Sequence, residues 1–151
     1  MPIERSATTT WKGSFKQGRG AVSVGSGAFT GLDVTYRTRF ENNGGSNPEE
    51  LVAAAHAACF SMALSAQLGE EGFEPAVIET TATVTLVKTD TGYAVTSSHL
   101  VTEGEVENAT EEQFMRAAEN AKNGCPISKL LAPGLESLTL DAKLRKPAAV
   151  E

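Results

Sequence analysis

Residues 47–71, NPEELVAAAHAACFSMALSAQLGEE, constrain this chain more than any other stretch. Asn47 suits a helix N-cap, Pro48 suits the first helical position, and Glu49 and Glu50 place negative charge in the first turn. Glu50 stands three residues after Asn47 and can complete a capping box. Gly72 ends the run, so one helix is expected from Pro48 to about Glu71. Leu51, Val52, Ala55, Ala58, Cys59, Met62, Ala63 and Ala66 cover much of its circumference. A helix apolar nearly all round is a central one, packed on more than one side. The run from Val52 to Leu68 is interrupted by His56, Ser61, Ser65 and Gln67, and reads as too polar and too short for a membrane span.

The segments around that helix alternate in the manner of strands. ATTTWKGSF, GAVSVGS and LDVTYRTRF set threonine, valine and aromatics between turn residues, as in an antiparallel meander. ENNGGSNPEE, residues 41–50, is a loop by composition. VIETTATVTLVKT and GYAVTSSHLVTEGEV form a hairpin through Asp90–Gly92. In TEEQFMRAAENAKNG, Thr110 and Gln113 form a capping box and Asn123–Gly124 closes a second helix. CPISKLL opens a short third helix, with Cys125 at its N-cap and Pro126 at its first position. Leu138, Leu140, Ala142 and Leu144 then alternate as a final strand. The class is α+β, read as one domain over residues 1–151.

A formal net charge of −6 argues against a nucleic-acid partner and against an anionic membrane surface, since both attract a basic face. MPIERSATTTWKG has neither the apolar centre nor the cleavage pattern of a secretory signal. A cytoplasmic protein is therefore expected, with cysteines that stay reduced unless they cycle in catalysis.

There are two cysteines. Cys59, in the middle of the apolar helix, is either a small core residue or a nucleophile kept out of bulk water. Cys125 stands at a helix start, where free backbone N–H groups favour a thiolate. Together they could act as a peroxidatic and resolving pair, one forming a sulfenic acid and the other condensing with it. They are 66 positions apart, and spacing does not establish that they meet.

A thiolate needs a positive neighbour. Arg39 in YRTRFE is the best placed; Arg37, on the same strand face by period two, and Arg19 in QGRGA are the others, and each also reads as a surface arginine. Glu49 lies ten positions before Cys59, about 15 Å along one helix. If the two work together, a second subunit could bring them together, which is a reason to expect a dimer with shared sites. His56, three residues before Cys59, reads first as a packed, hydrogen-bonded residue, and less well as a zinc ligand or a Cys–His partner. Trp11, Phe40 and Phe60 read as core or pocket lining.

NPEELVAAAHAACFSMAL resembles the OsmC/Ohr family, the osmotically inducible protein C and organic hydroperoxide resistance proteins. GAVS after WKG, TRFE before the glycine loop, and NAKNGCPISKLL extend the resemblance over nearly the whole chain and place it in the OsmC branch. The resemblance implies a thiol peroxidase that reduces organic hydroperoxides to alcohols. It implies an intertwined α+β homodimer, with antiparallel sheets wrapped around two long central helices and two sites at the subunit interface. Cys59 is then peroxidatic and Cys125 resolving. Glu49 pairs with an arginine over the reactive thiolate, and that arginine is Arg39 in the OsmC branch, with Arg19 second. No cofactor or metal is implied, and the electrons come from a dithiol, a lipoylated protein being the family's kind of donor. An apolar pocket lined by Phe60, Met62 and Phe40 would favour alkyl or fatty-acid hydroperoxides. The competing reading is a redox sensor or stress-related binding protein that uses the same cysteines without turnover.

Overall fold

A computed structural model describes residues 1–41 and 44–146. The chain forms two compact units, Met1–Leu51 and Val52–Glu151. The first holds a three-stranded sheet, β1 (Ala7–Lys12), β2 (Arg19–Val24) and β3 (Leu32–Val34), antiparallel and in chain order.

The meander is shorter than expected. LDVTYRTRF does not continue as a strand; it breaks at Thr35 into a helical turn, α1 (Tyr36–Phe40). A reciprocal capping box overrides the β propensity of these residues: the Thr38 N–H donates to Thr35 Oγ1 at 3.1 Å, and the Thr35 N–H donates to Thr38 Oγ1 at 2.9 Å. Arg37 and Arg39, expected on one strand face, therefore point to different sides of a helix. Of the loop read at 41–50, residues 42 and 43 lie outside the described residues.

α2 (Pro48–Glu70) begins as its caps require, with the Glu50 N–H donating to Asn47 Oδ1 at 2.8 Å. The reciprocal half differs, because the Glu50 carboxylate accepts from the Ser46 hydroxyl at 3.0 Å. The helix ends in a Schellman motif. The Phe73 N–H reaches the Leu68 carbonyl at 2.9 Å and the Gly72 N–H the Gly69 carbonyl at 3.0 Å, with Gly72 at φ +88°.

Within the chain α2 is not buried all round. His56, Phe60, Leu64 and Leu68, every fourth residue, face the core. Ala54, Ala58, Met62 and Ala66, two positions out of step, lie exposed along the opposite edge. By length and composition this helix is able to cross a membrane, contrary to the expectation of one too short and too polar. Its polar residues are small and scattered, so the 23-residue stretch stays apolar on average.

In the second unit, β4 (Pro75–Thr89) and β5 (Gly92–Val106) make the expected hairpin, bulged between Thr85 and Leu86. α3 (Glu111–Gly124) and α4 (Pro126–Leu131) follow, and β6 (Ser137–Leu144) pairs with β5. The expected antiparallel sheet is corrected here: β6 runs parallel to β5, because the two-helix crossover returns the chain to the end from which β5 started. Phe60, Leu64 and Leu68 pack with Leu100, Val106, Phe114, Ala117, Ala118 and Ala121. All fully buried apolar side chains among the described residues belong to this unit. The first unit has too few residues to enclose a core of its own.

Candidate active site

The Cys125 sulfur is placed by the start of α4. Cys125 is the N-cap, with φ −58° and ψ 125°, and Pro126 occupies the first helical position. The N–H groups of Ile127 and Ser128 and the Ser128 hydroxyl lie on the side of its sulfur and favour the thiolate. Cys125 is fully buried, while Cys59, on α2, is only half-buried. Both thiols are free, and they lie close enough for each to act on the other's ionisation.

These neighbours divide the charge unequally. Burial pushes the Cys59 thiol up, Cys125 adds to this, and only the Ile127 N–H opposes it. Burial acts in the same direction on Cys125. There the Cys59 thiol, Ser128 and the helix-start N–H groups outweigh it and hold Cys125 below the ordinary thiol range.

His56 is a packed, fully hydrogen-bonded residue. It is completely buried, with Nδ1 2.7 Å from Ser98 Oγ and Nε2 2.8 Å from Ser128 Oγ. Burial lowers its pKa, so the ring is neutral. The hydroxyls of Ser98 and Ser128 fill the positions that a metal or a catalytic thiol would need.

The first unit carries the second group of expected residues. Arg39 and Glu49 meet: Nη2 lies 2.7 Å from Oε1, and Nε lies 3.2 Å from each carboxylate oxygen. The pair is partly buried, and the guanidinium lies 5.2 Å from the Phe40 ring centre. Arg19 instead pairs with Asp33 at 2.9 Å and Arg37 with Glu41 at 3.1 Å, and both arginines are well exposed. Next to Arg39 opens a cavity of about 460 Å³, lined by Trp11, Phe15, Val34, Tyr36, Phe40 and Pro48. The residues expected to line a pocket are found in different places. Phe40 belongs to the cavity, Phe60 is sealed in the core of the other unit, and Met62 is exposed on α2. Phe15 and Tyr36 gave no sequence signal of a pocket; they meet edge-to-face at 5.2 Å because α1 turns Tyr36 toward the loop after β1.

Two reduced thiols side by side can be oxidised to a disulfide, the chemistry that a cysteine-based redox enzyme uses. The sequence comparisons define which one. Residues 41–137 match the model of the OsmC-like protein family, and the chain belongs to that family. It is 45% identical over 145 residues to the peroxiredoxin OsmC of Escherichia coli K12, covering 96% of this chain and 99% of that one. It is 36% identical over 86 residues, 56% of this chain and 58% of the relative, to an organic hydroperoxide resistance protein-like 2 of Staphylococcus epidermidis. The fold matches the crystal structure of the organic hydroperoxide resistance protein OhrB of Bacillus subtilis. That match has a TM-score of 0.68 and 24% identity over 93% of this chain and 98% of that one. The protein is thus a peroxide-reducing thiol peroxidase, an antioxidant enzyme of the stress response.

Proposed function

We propose that the protein reduces organic hydroperoxides through Cys59, with Cys125 as the resolving thiol. The closeness of the two free thiols carries this reading. Cys59 is the less buried of the two, and a peroxide needs access to the attacking sulfur. The Cys59 thiolate attacks the peroxide, the O–O bond breaks, the alcohol leaves with a proton, and Cys59 becomes a sulfenic acid. Cys125 attacks that sulfur, water leaves, and a Cys59–Cys125 disulfide forms. A dithiol, such as a lipoylated protein, returns both thiols by exchange and is itself oxidised to a disulfide.

Cys59 needs an outside cation, because burial raises its pKa. Arg39, held by Glu49, is that cation in a homodimer with shared sites. Two observations support the dimer. The Ala54–Ala58–Met62–Ala66 edge of a long apolar helix is exposed, and the first unit encloses no apolar core. The aromatic cavity beside Arg39 would hold the alkyl part of the substrate.

The test is the intact mass of reduced protein before and after one equivalent of cumene hydroperoxide, repeated with hydrogen peroxide. Loss of about two mass units per chain, faster with the organic peroxide and reversed by a dithiol, is the expected result. No change with either oxidant would overturn the reading.

A further inference from the structure

The aromatic cavity of the first unit has a charged neighbour. The loop after β1 and the helix α1 each give that cavity an aromatic residue, Phe15 and Tyr36. The next residue of each, Lys16 and Arg37, lines a different cavity of about 590 Å³, together with Arg19 from the start of β2. Thr35 lines both cavities, so they lie side by side. The Lys16 ammonium stands 6.0 Å from the centre of the Tyr36 ring, on the boundary between them.

Local bonds fix the loop that presents Lys16. The Gln17 N–H donates to Ser14 Oγ at 3.2 Å, the Gly18 N–H to the Ser14 carbonyl at 2.7 Å, and Trp11 Nε1 to the Gly13 carbonyl at 3.0 Å. A Cβ at Gly18 would strike the Lys12 carbonyl at 2.6 Å, so the turn closes only around glycine.

Charge sets what the second cavity can hold. Three cations line it against one carboxylate, Asp33, in a chain of net charge −6. Arg19 bonds Asp33 and Arg37 bonds Glu41, both in exposed pairs that a competing carboxylate can displace. Lys16 forms no ion pair with a carboxylate among the described residues. An anion is favoured there, and a guanidinium holds a carboxylate through two parallel bonds. The aromatic cavity beside it takes an alkyl chain. A ligand that fills both spaces is an amphiphile charged at one end.

We propose that Lys16, Arg19 and Arg37 form an anion subsite that binds the carboxylate of an alkyl carboxylate whose chain lies in the aromatic cavity. Its use in catalysis rests on the peroxidase reading above: the subsite then selects hydroperoxides that carry a carboxylate over neutral ones, and leaves the O–O chemistry to the cysteines.

Trp11 is the only tryptophan and lines the aromatic cavity, so its emission reports what enters. The reduced protein is titrated at low salt with decanoate and, separately, with decanol, each below its aggregation limit. Decanoate is expected to bind about fivefold more tightly, as for one or two exposed ion pairs, and high salt should remove most of that advantage. The double variant Lys16→Gln/Arg37→Gln should bind decanoate no better than decanol, with its decanol affinity at the wild-type value as proof of an intact cavity. Should that variant lose decanol binding too, Lys16→Gln alone decides: it must cut the decanoate advantage about twofold or more. Equal wild-type affinities for the two ligands, a decanoate advantage untouched by these substitutions, or no response to either ligand would each overturn the proposal. No peroxide enters the measurement, so a failed peroxidase assay and a failed subsite are separate results.

Discussion

Arg39 holds Glu49 through two of its nitrogens, with a shortest contact of 2.7 Å, while Arg19 and Arg37 are engaged by Asp33 and Glu41. If Arg39 serves the Cys59 of a partner subunit, mixing two impaired variants restores activity. Cys59→Ser protein should be inactive and Arg39→Ala protein strongly slowed. Heterodimers made by co-refolding them contain one site with both Cys59 and Arg39, and should recover a measurable fraction of wild-type turnover. A mixture no more active than its parents would put both residues in one chain's site. Arg39→Ala alone should slow peroxide attack roughly tenfold or more by raising the Cys59 pKa. An unchanged rate would move the role to Arg19 or Arg37.

The two thiols have unequal roles that one experiment separates. Cys125→Ser should consume roughly one peroxide per site and then overoxidise at Cys59, visible as a gain of about 32 mass units for a sulfinic acid. Cys59→Ser should show no first turnover. If the reverse pattern appears, Cys125, the thiol with the lowered pKa, is the one that attacks.

Burial of neutral His56 makes stability pH-dependent. Its pKa is lowered in the folded state from an ordinary 6.5, so below that value the unfolded chain binds the extra proton first. The contribution is fully present above about pH 7 and is lost as pH falls through 6.5 and lower, at no more than about 1.4 kcal/mol per pH unit. Urea midpoints of wild type and His56→Gln between pH 7.5 and 5 check this. The variant should be less stable overall and flatter with pH, and parallel curves would assign the slope to other groups.

The aromatic cavity should act on substrate choice more than on the reaction itself. Phe15→Ala removes a ring that packs edge-to-face on both Tyr36 and Phe40. It should reduce kcat/KM for cumene hydroperoxide by about tenfold, as expected for losing apolar contact, with little change for hydrogen peroxide. Equal losses on both peroxides would place the cavity outside the substrate path.

Local signals carried much of this architecture. Asn47–Pro48, Thr110–Gln113, Cys125–Pro126 and Gly72 each marked a helix boundary, because capping chemistry is contained within four or five residues. The same locality explains the error at Tyr36–Phe40. The residues have strand propensity, and the Thr35–Thr38 box has a threonine in place of the usual glutamate or glutamine, so it lacks the common cap signature. The direction of β6 was equally hidden, since alternation shows a strand and its faces but carries no sign for parallel or antiparallel pairing.

Most segment boundaries, the two thiols and the family are legible along the length of the chain, because periodicity, caps and motif order are properties of its linear order. Only the tertiary structure decided which residues meet across that length. It paired Arg39 rather than Arg19 with Glu49, and brought Cys59 to Cys125 over 66 positions. It also set Ser98 and Ser128 on the two nitrogens of His56 from 42 and 72 positions away. Such contacts are chosen by how α2, β5 and the start of α4 pack together, and no short-range pattern records that choice.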